Sequence, residues 1–220
     1  MSNIKHIIFD CDGVLVDTEY TAAIKMTEAL NKLGASVTVE HYLRNLSGAT
    51  FSSIVTKYFN NSLAAREVTK IITKVEDQVA EDLKLIEGVA QLLNNLHLGK
   101  SVVSNSSLRT VEHALRSTGI YDQFGGGIFS SEYVEKPKPA PDIYLLALKS
   151  IPVNISEILV VEDSLSGAKA ALSAGFRVIG FTGGGHILPG HQQKLEALGV
   201  HKVCRTMDIL GNYLSIVLAH

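Results

Sequence analysis

Short apolar runs alternate with helical segments that stop at a glycine, and this alternation restricts the chain to one class of fold. The apolar runs are β-branched and read as strands buried on both faces; they span residues 4–9, 101–103, 157–161 and 177–181. The helical segments that end before a glycine span residues 87–98, 107–118 and 165–174. Because strands and helices follow one another in regular order, we predict a Rossmann-like α/β core with a parallel sheet.

One long segment interrupts this alternation. Residues 18–86 hold no convincing strand, and helical spacing of apolar residues covers 20–33, 39–46, 51–59 and 63–83. We therefore predict an inserted all-helical cap domain of residues 18–86. The catalytic α/β core domain would consist of residues 1–17 and 87–220.

Composition excludes several classes of protein. Lys and Arg number 20 against 22 Asp and Glu, so the strongly basic balance of a nucleic-acid-binding protein is absent. No stretch approaches the roughly 18 apolar residues of a membrane span, and the first apolar run is too short for a signal peptide. The two cysteines fit a reducing compartment. We expect a cytoplasmic monomer that binds neither nucleic acid nor membrane.

Polar clusters follow three of the predicted strands, at the sheet edge where ligands of open α/β folds bind. The clusters are Asp10-Cys11-Asp12-Gly13, Ser104-Asn105-Ser106 and Glu162-Asp163. A fourth cluster, around Lys138, precedes a proline-stiffened helix start. Each cluster alone is more often a helix cap or a solvated surface, but four clusters that converge favour a functional site.

The two aspartates of the first cluster could take different catalytic roles, one as nucleophile and the other as general acid and base. An ordinary Asp is ionised at pH 7, with a reference pKa of about 3.9, so Asp10 can attack an electrophile and form an acyl phosphate. Asp12 can protonate a leaving oxygen and later accept a proton from water. That second role needs a raised pKa, which a neighbouring carboxylate and partial burial would supply.

Several carboxylates around an anionic substrate would repel it, and a hard divalent cation removes this conflict. Mg²⁺ favours a few carboxylate ligands together with oxygens of the substrate. Asp10 and Asp163 are the candidate ligands, with Glu162 beside them. Lys138 would offset the remaining negative charge, and Ser104 with the amides after it would bind phosphate oxygens.

Four segments resemble, in order, the motifs of the haloacid dehalogenase superfamily: DCDGVLVDTE (10–19), VVSNSS (102–107), KPAPDIY (138–144) and VVEDSLSGAKAA (160–171). The resemblance covers the whole chain. It is greatest to the phosphatases with a helical cap after the first motif, the group of β-phosphoglucomutase, phosphoglycolate phosphatase and sugar-phosphate phosphatases. It implies Mg²⁺-dependent hydrolysis of a small phosphorylated metabolite through a phosphoaspartate, with a cap that closes to exclude water and select the substrate.

The resemblance also implies a role for each matching residue. Asp10 corresponds to the nucleophile and a metal ligand, and Asp12 to the general acid and base, with its backbone carbonyl on the metal. Ser104 corresponds to the phosphate-binding hydroxyl and Lys138 to the lysine that stabilises the phosphoaspartate. Asp163 corresponds to a metal ligand, and Glu162 to a residue that binds the metal directly or acts on it through another group. Asn105 is assigned to phosphate binding. In the cap, a turn that would help to set specificity contains Arg44, Asn45 and Gly48.

Three alternative functions remain open. A β-phosphoglucomutase-like phosphomutase would use the same residues, and a non-catalytic phosphometabolite-binding protein could share the scaffold. A dehalogenase is disfavoured because that branch lacks an acid equivalent to Asp12. Outside the site, the residues assigned to the core are Cys11, Tyr144, Leu145 and Leu148. His186 and His191 flank a Gly/Pro loop and could approach the rim of the active site, but the expectation is that they are solvated loop residues.

Overall fold

The computed structural model describes residues 4–46, 53–54, 58–59 and 64–218. Its strands and α-helices are, in chain order, β1 His6–Phe9, α1 Thr18–Lys32, α2 Val39–Asn45, α3 Ala65–Glu81, α4 Val89–Asn95, β2 Gly99–Ser104, α5 Leu108–Ser117, β3 Ile128–Ser130, α6 Asp142–Ser150, β4 Ile158–Glu162, α7 Leu165–Ser173, β5 Arg177–Phe181, α8 His191–Leu198, β6 Lys202–Cys204 and α9 Met207–Leu218. The chain divides into two compact units, Met1–Asp17 with Lys84–His220, and Thr18–Leu83. The assignment of these units as catalytic and cap domains stays a prediction.

The first unit is built on a parallel sheet of six strands in the order β3-β2-β1-β4-β5-β6. Phe9, at the end of β1, pairs with Val102 of β2 on one side and with Val161 of β4 on the other. The predicted Rossmann-like α/β core is thus confirmed. Because β2, β1 and β4 are neighbours, the residues that follow them meet at one edge of the sheet.

Burial of the central strands explains why they read as continuous apolar runs. Ile8, Val103 and Val160 are fully buried, and they share one apolar cluster with Ile143 of α6 and Ala168 of α7. Helices that pack against the sheet in this way leave no face of β1 or β4 in water.

Several elements differ from the prediction. Strands β3 and β6 were not predicted, because each is a three-residue strand at an edge of the sheet and lacks a long apolar run. Helix α8 was likewise missed behind its Gly/Pro loop. Tyr144 is buried as expected, but Leu145 is 40% exposed, so its assignment to the core is wrong.

The helices α1, α2 and α3 all belong to the second unit, and no β-strand is assigned among its described residues. Ala23 and Leu30 of α1 pack with Tyr42 of α2 in a separate apolar cluster. The side chain of Asn31 exchanges two hydrogen bonds of 2.9 Å with the backbone of Val37, which fixes the turn between α1 and α2. The predicted turn up to Gly48 and much of the predicted helix 51–59 lie outside the described residues.

Membrane insertion is not indicated by the helices that the structure describes. None of them combines the length and the apolar character that are needed to span a bilayer.

Candidate active site

The loop after β1 sets the positions of Asp10 and Asp12. The amide of Asp10 still donates to the Val161 carbonyl of β4 at 2.9 Å, so this residue remains anchored to the sheet. Gly13 then turns the chain with a φ of +81°, a conformation that glycine adopts without steric cost. A Cβ on Gly13 would lie 2.1 Å from Oδ2 of Asp163, so the approach of this loop to the β4 end also requires glycine.

Lys138 lies at the centre of the site and is buried. Its ammonium donates to Oδ1 of Asp10 at 2.5 Å, to Oε1 of Glu162 at 2.6 Å and to the carbonyl of Val103 at 3.0 Å. These three acceptors satisfy all three donors of the ammonium. Burial by itself would lower the pKa of Lys138, but the attraction of Asp10 and Glu162 outweighs it and holds the pKa well above its usual value. Lys138 is therefore a permanent cation.

Asp10 has a surplus of negative charge around it. Burial raises its pKa most, Lys138 acts in the opposite direction, and the carboxylates of Glu162, Asp163 and Asp12 raise it further. The net result is a pKa well above the usual value when only protein groups are present. One lysine does not balance this group of acids, so the site is short of positive charge.

A metal ion bound by three buried carboxyl groups could supply the missing positive charge. Asp10, Glu162 and Asp163 each offer one oxygen, and these oxygens lie within 4.8 Å of one another. The residues are 6%, 0% and 4% exposed, respectively. A set of hard oxygen donors beside unbalanced negative charge fits Mg²⁺. The structure thus brings together the acidic residues that the sequence placed after β1 and β4.

Glu162 is already saturated with hydrogen bonds. Oε1 accepts from Lys138 and from the Tyr144 hydroxyl at 3.0 Å, and Oε2 accepts from the amide and the hydroxyl of Ser164 at 3.1 and 3.0 Å. A carboxylate has about four lone-pair sites, so this pattern favours an indirect role in which Glu162 orients Lys138. Its assignment as a metal ligand remains a prediction.

Asp12 is held by two hydroxyl groups. Its Oδ2 accepts from Ser104 at 3.1 Å and from Ser106 at 2.8 Å, and the amide of Ser106 donates to the Ser104 hydroxyl at 3.0 Å. Ser104 ends β2 and Ser106 follows two residues later; the sequence assigns a role to Ser104 and none to Ser106. Only the turn of the backbone reveals that both hydroxyls face the same carboxylate.

Asn105 anchors the backbone of Lys138. Its Nδ2 donates to the Lys138 carbonyl at 3.1 Å, and its Oδ1 accepts from the Lys138 amide at 3.0 Å. This pair of bonds fixes the point from which the Lys138 side chain enters the site. The predicted contact of Asn105 with phosphate stays a prediction.

The two loop histidines contradict the expectation that they are solvated. His186 is partly buried, and its Nε2 lies 2.9 Å from Oδ2 of Asp163. His191, the first residue of α8, places its Nε2 2.6 Å from the Asp163 carbonyl. Nothing in the sequence pairs these residues with Asp163, because the contact depends on how the loop after β5 folds back toward β4.

Arg44 lies on the short helix α2 of the second unit. Its Nη2 and Nε lie 3.0 and 3.1 Å from Oε1 of Glu40, one turn earlier on the same helix, and its side chain is half exposed. Its predicted role in binding the substrate is untested, and Gly48 lies outside the described residues.

Comparison with known proteins identifies the family of this chain. The family described as haloacid dehalogenase-like hydrolase matches residues 7–181. The 6-phosphogluconate phosphatase of Escherichia coli is 28% identical over 193 residues, which cover 86% of this chain and 87% of the relative. The N-acetylmuramic acid 6-phosphate phosphatase of Pseudomonas putida is 24% identical over 181 residues, which cover 79% and 81%.

Solved structures share the fold over nearly the whole chain. A haloacid dehalogenase-like protein from Agrobacterium tumefaciens has a TM-score of 0.82 and 33% identity, with coverage of 99% of this chain and 100% of its own. A hydrolase of the same family from Deinococcus radiodurans has a TM-score of 0.88 and 24% identity, with coverage of 99% and 97%. The chain described here, an enzyme with relatives that include named phosphatases, therefore belongs to the haloacid dehalogenase-like hydrolase family.

Proposed function

We propose that this protein is a Mg²⁺-dependent phosphatase that hydrolyses a small phosphorylated metabolite through a phosphoaspartate on Asp10. One observation carries the proposal: the Asp10 carboxylate is bound by Lys138 and lies beside Asp163, while Asp12 is held next to it by two serines. The residues proposed as nucleophile, cation and acid therefore lie at one edge of the sheet.

In the first half-reaction, a carboxylate oxygen of Asp10 attacks phosphorus and the bond from phosphorus to the ester oxygen breaks. Asp12 transfers a proton to the departing oxygen, which leaves as an alcohol. The hydroxyls of Ser104 and Ser106 fix the rotation of the Asp12 carboxyl group for this transfer. Lys138 offsets negative charge on Asp10 as the carboxylate approaches an anionic ester.

In the second half-reaction, water attacks the phosphorus of the phosphoaspartate. Asp12, now deprotonated, accepts the proton of that water, inorganic phosphate leaves, and the Asp10 carboxylate is regenerated. Asp10 and Asp163 would hold Mg²⁺, with the backbone carbonyl of Asp12 as a further ligand. When bound, the ion supplies positive charge that screens the ester from the surrounding carboxylates.

Sugar phosphates and similar organic phosphates are the proposed substrate class. The relatives from Escherichia coli and Pseudomonas putida are named for 6-phosphogluconate and N-acetylmuramic acid 6-phosphate, both of them phosphate esters of sugar derivatives. These names support the class and do not identify the substrate of this chain.

The direct test measures phosphate release from p-nitrophenyl phosphate and from a panel of sugar phosphates, with Mg²⁺ and with a chelator. We expect Mg²⁺-dependent hydrolysis that falls to the background rate in Asp10→Asn, because the amide is not a nucleophile. Mass spectrometry of acid-quenched wild-type protein should find one phosphoryl group on Asp10. The exposed Asp122 provides the matched control, and Asp122→Asn should retain wild-type activity.

Two results would refute the proposal. Full activity in Asp10→Asn would remove the nucleophile. Interconversion of sugar phosphates in the presence of a sugar bisphosphate, without net release of phosphate, would identify a phosphomutase instead.

A further inference from the structure

The loop between β5 and α8, together with the first residue of α8, holds Asp163 at two points. The Nε2 of His186 contacts the Oδ2 of the Asp163 side chain at 2.9 Å, and the Nε2 of His191 contacts its carbonyl at 2.6 Å. The His186 side chain is 11% exposed and that of Asp163 is 5% exposed, so water competes little for this contact. One histidine thus holds the side chain of Asp163 and the other its backbone.

The ring of His186 is confined by glycines on two sides. A Cβ on Gly184 would lie 2.7 Å from the ring, and a Cβ on Gly13 would also lie 2.7 Å from its Cε1. Any larger residue at either position would displace the imidazole. The loop is tied down further by the amide of Gly185, which donates to Oδ2 of Asp17 at 3.2 Å. The imidazole is therefore fixed in orientation, as a residue that aims another group must be.

We propose that His186 is a positioning residue that fixes the rotation of the Asp163 carboxylate and thereby raises the affinity of the acidic cluster for Mg²⁺. The inference rests on the proposed function, in that it takes Asp163 as a side-chain ligand of the ion. Groups that hydrogen-bond to a metal-binding carboxylate restrict it to the binding orientation, and their removal costs about 10- to 100-fold in metal affinity. His186 contacts the carboxylate of Asp163 directly, while His191 contacts the backbone carbonyl of the same residue.

The experiment is calorimetric titration of the metal-free full-length protein with MgCl₂. We expect His186→Ala to raise the Kd for Mg²⁺ by about 10- to 100-fold. His186→Gln should recover most of the affinity, because its Nε2 can donate from nearly the same place as the imidazole Nε2. His186→Asn should behave like the alanine variant, because its amide is too short to reach Oδ2. His97→Ala, an exposed histidine just before β2, should match the wild type.

A purely structural role for His186 predicts a different pattern. It would lower the melting temperature of the metal-free protein and leave the Kd for Mg²⁺ unchanged. The proposal is overturned by an unchanged Kd in His186→Ala, by equal Kd values for the glutamine and asparagine variants, or by absence of Mg²⁺ binding in the wild type.

Failure of this inference can be separated from failure of the proposed function. Wild-type protein that binds Mg²⁺ but hydrolyses no phosphate ester would refute the phosphatase, and the calorimetric comparison would still decide the role of His186. If the protein is a phosphatase, the Mg²⁺ concentration for half-maximal activity should rise in His186→Ala by the same factor as the Kd. The kcat at saturating Mg²⁺ should stay close to the wild-type value.

Discussion

Removal of the Lys138 ammonium should leave two buried carboxylates without their cation. Lys138→Met keeps most of the side-chain volume but deletes hydrogen bonds to Asp10, Glu162 and the Val103 carbonyl. The side chains of Asp10 and Glu162 are 8% and 0% exposed, so water cannot solvate these carboxylates once the ammonium is gone. Breaking a buried ion pair by deleting one partner costs about 3–5 kcal/mol, a large share of the roughly 5–15 kcal/mol that stabilises a typical protein.

A second substitution tests whether charge is the cause. Glu162→Gln removes one carboxylate charge at nearly constant shape, and the rotatable Tyr144 hydroxyl can adapt to the new amide. Combined with Lys138→Met, it should recover part of the lost stability, with a coupling energy of about 1–3 kcal/mol between the two positions. The double variant Lys138→Met with Glu162→Gln is thus expected to lose less free energy of unfolding than the two single variants lose in sum.

The assay is urea unfolding of metal-free protein followed by circular dichroism, with the midpoint and slope fitted for each variant. Lys136→Met is the matched control, since Lys136 is exposed and its replacement should stay within about 0.5 kcal/mol of the wild type. If the effects of Lys138→Met and Glu162→Gln simply add, the uncompensated charge is not the source of the loss and the reasoning fails.

Three further predictions concern single residues. Gly13→Ala should abolish Mg²⁺ binding measured by calorimetry, because the new Cβ would lie 2.1 Å from Oδ2 of Asp163. The control for backbone strain alone is Gly34→Ala, since a Cβ on Gly34 meets nothing within 4 Å. Equal Mg²⁺ affinity in both variants would contradict the steric argument. Burial lowers the pKa of His6 from 6.5 to about 4. The unfolded imidazole therefore takes up its proton first, so stability should fall as the pH drops from 6.5 to 4, by roughly 3 kcal/mol. Urea midpoints that fall equally in His6→Asn would exclude His6 as the cause. Asp12→Asn should slow the hydrolysis of alkyl phosphates more than that of p-nitrophenyl phosphate, because a good leaving group needs no proton; an equal loss for both esters would rule out the acid role.

The fold class was readable because its signals are local. Each central strand is buried on both faces, so burial itself imposes the apolar run that marks it, as in β1 and β4. The edge strands β3 and β6 could not be predicted in this way. Each contributes three residues and owes its conformation to pairing with a longer neighbour.

The candidate site divides in the same way. Asp10, Ser104 and Asp163 could be selected from the sequence because the carboxyl ends of parallel strands meet at one edge of the sheet. Lys138 was selected because it matches the KPAPDIY motif. The bonds of Ser106 to Asp12 and of Tyr144 to Glu162 could not be predicted, because they depend on loop conformation and side-chain rotation.

The sequence alone determined which chemical groups stand at the ends of the central strands, since the order of strands and helices dictates a parallel sheet and hence a shared edge. The tertiary structure alone decided how each acid is held: Lys138 binds Glu162, and His186 holds Asp163. The physical reason is the range of the interactions. Burial and backbone pairing leave a periodic trace along the chain, whereas a hydrogen bond between residues more than twenty positions apart leaves none.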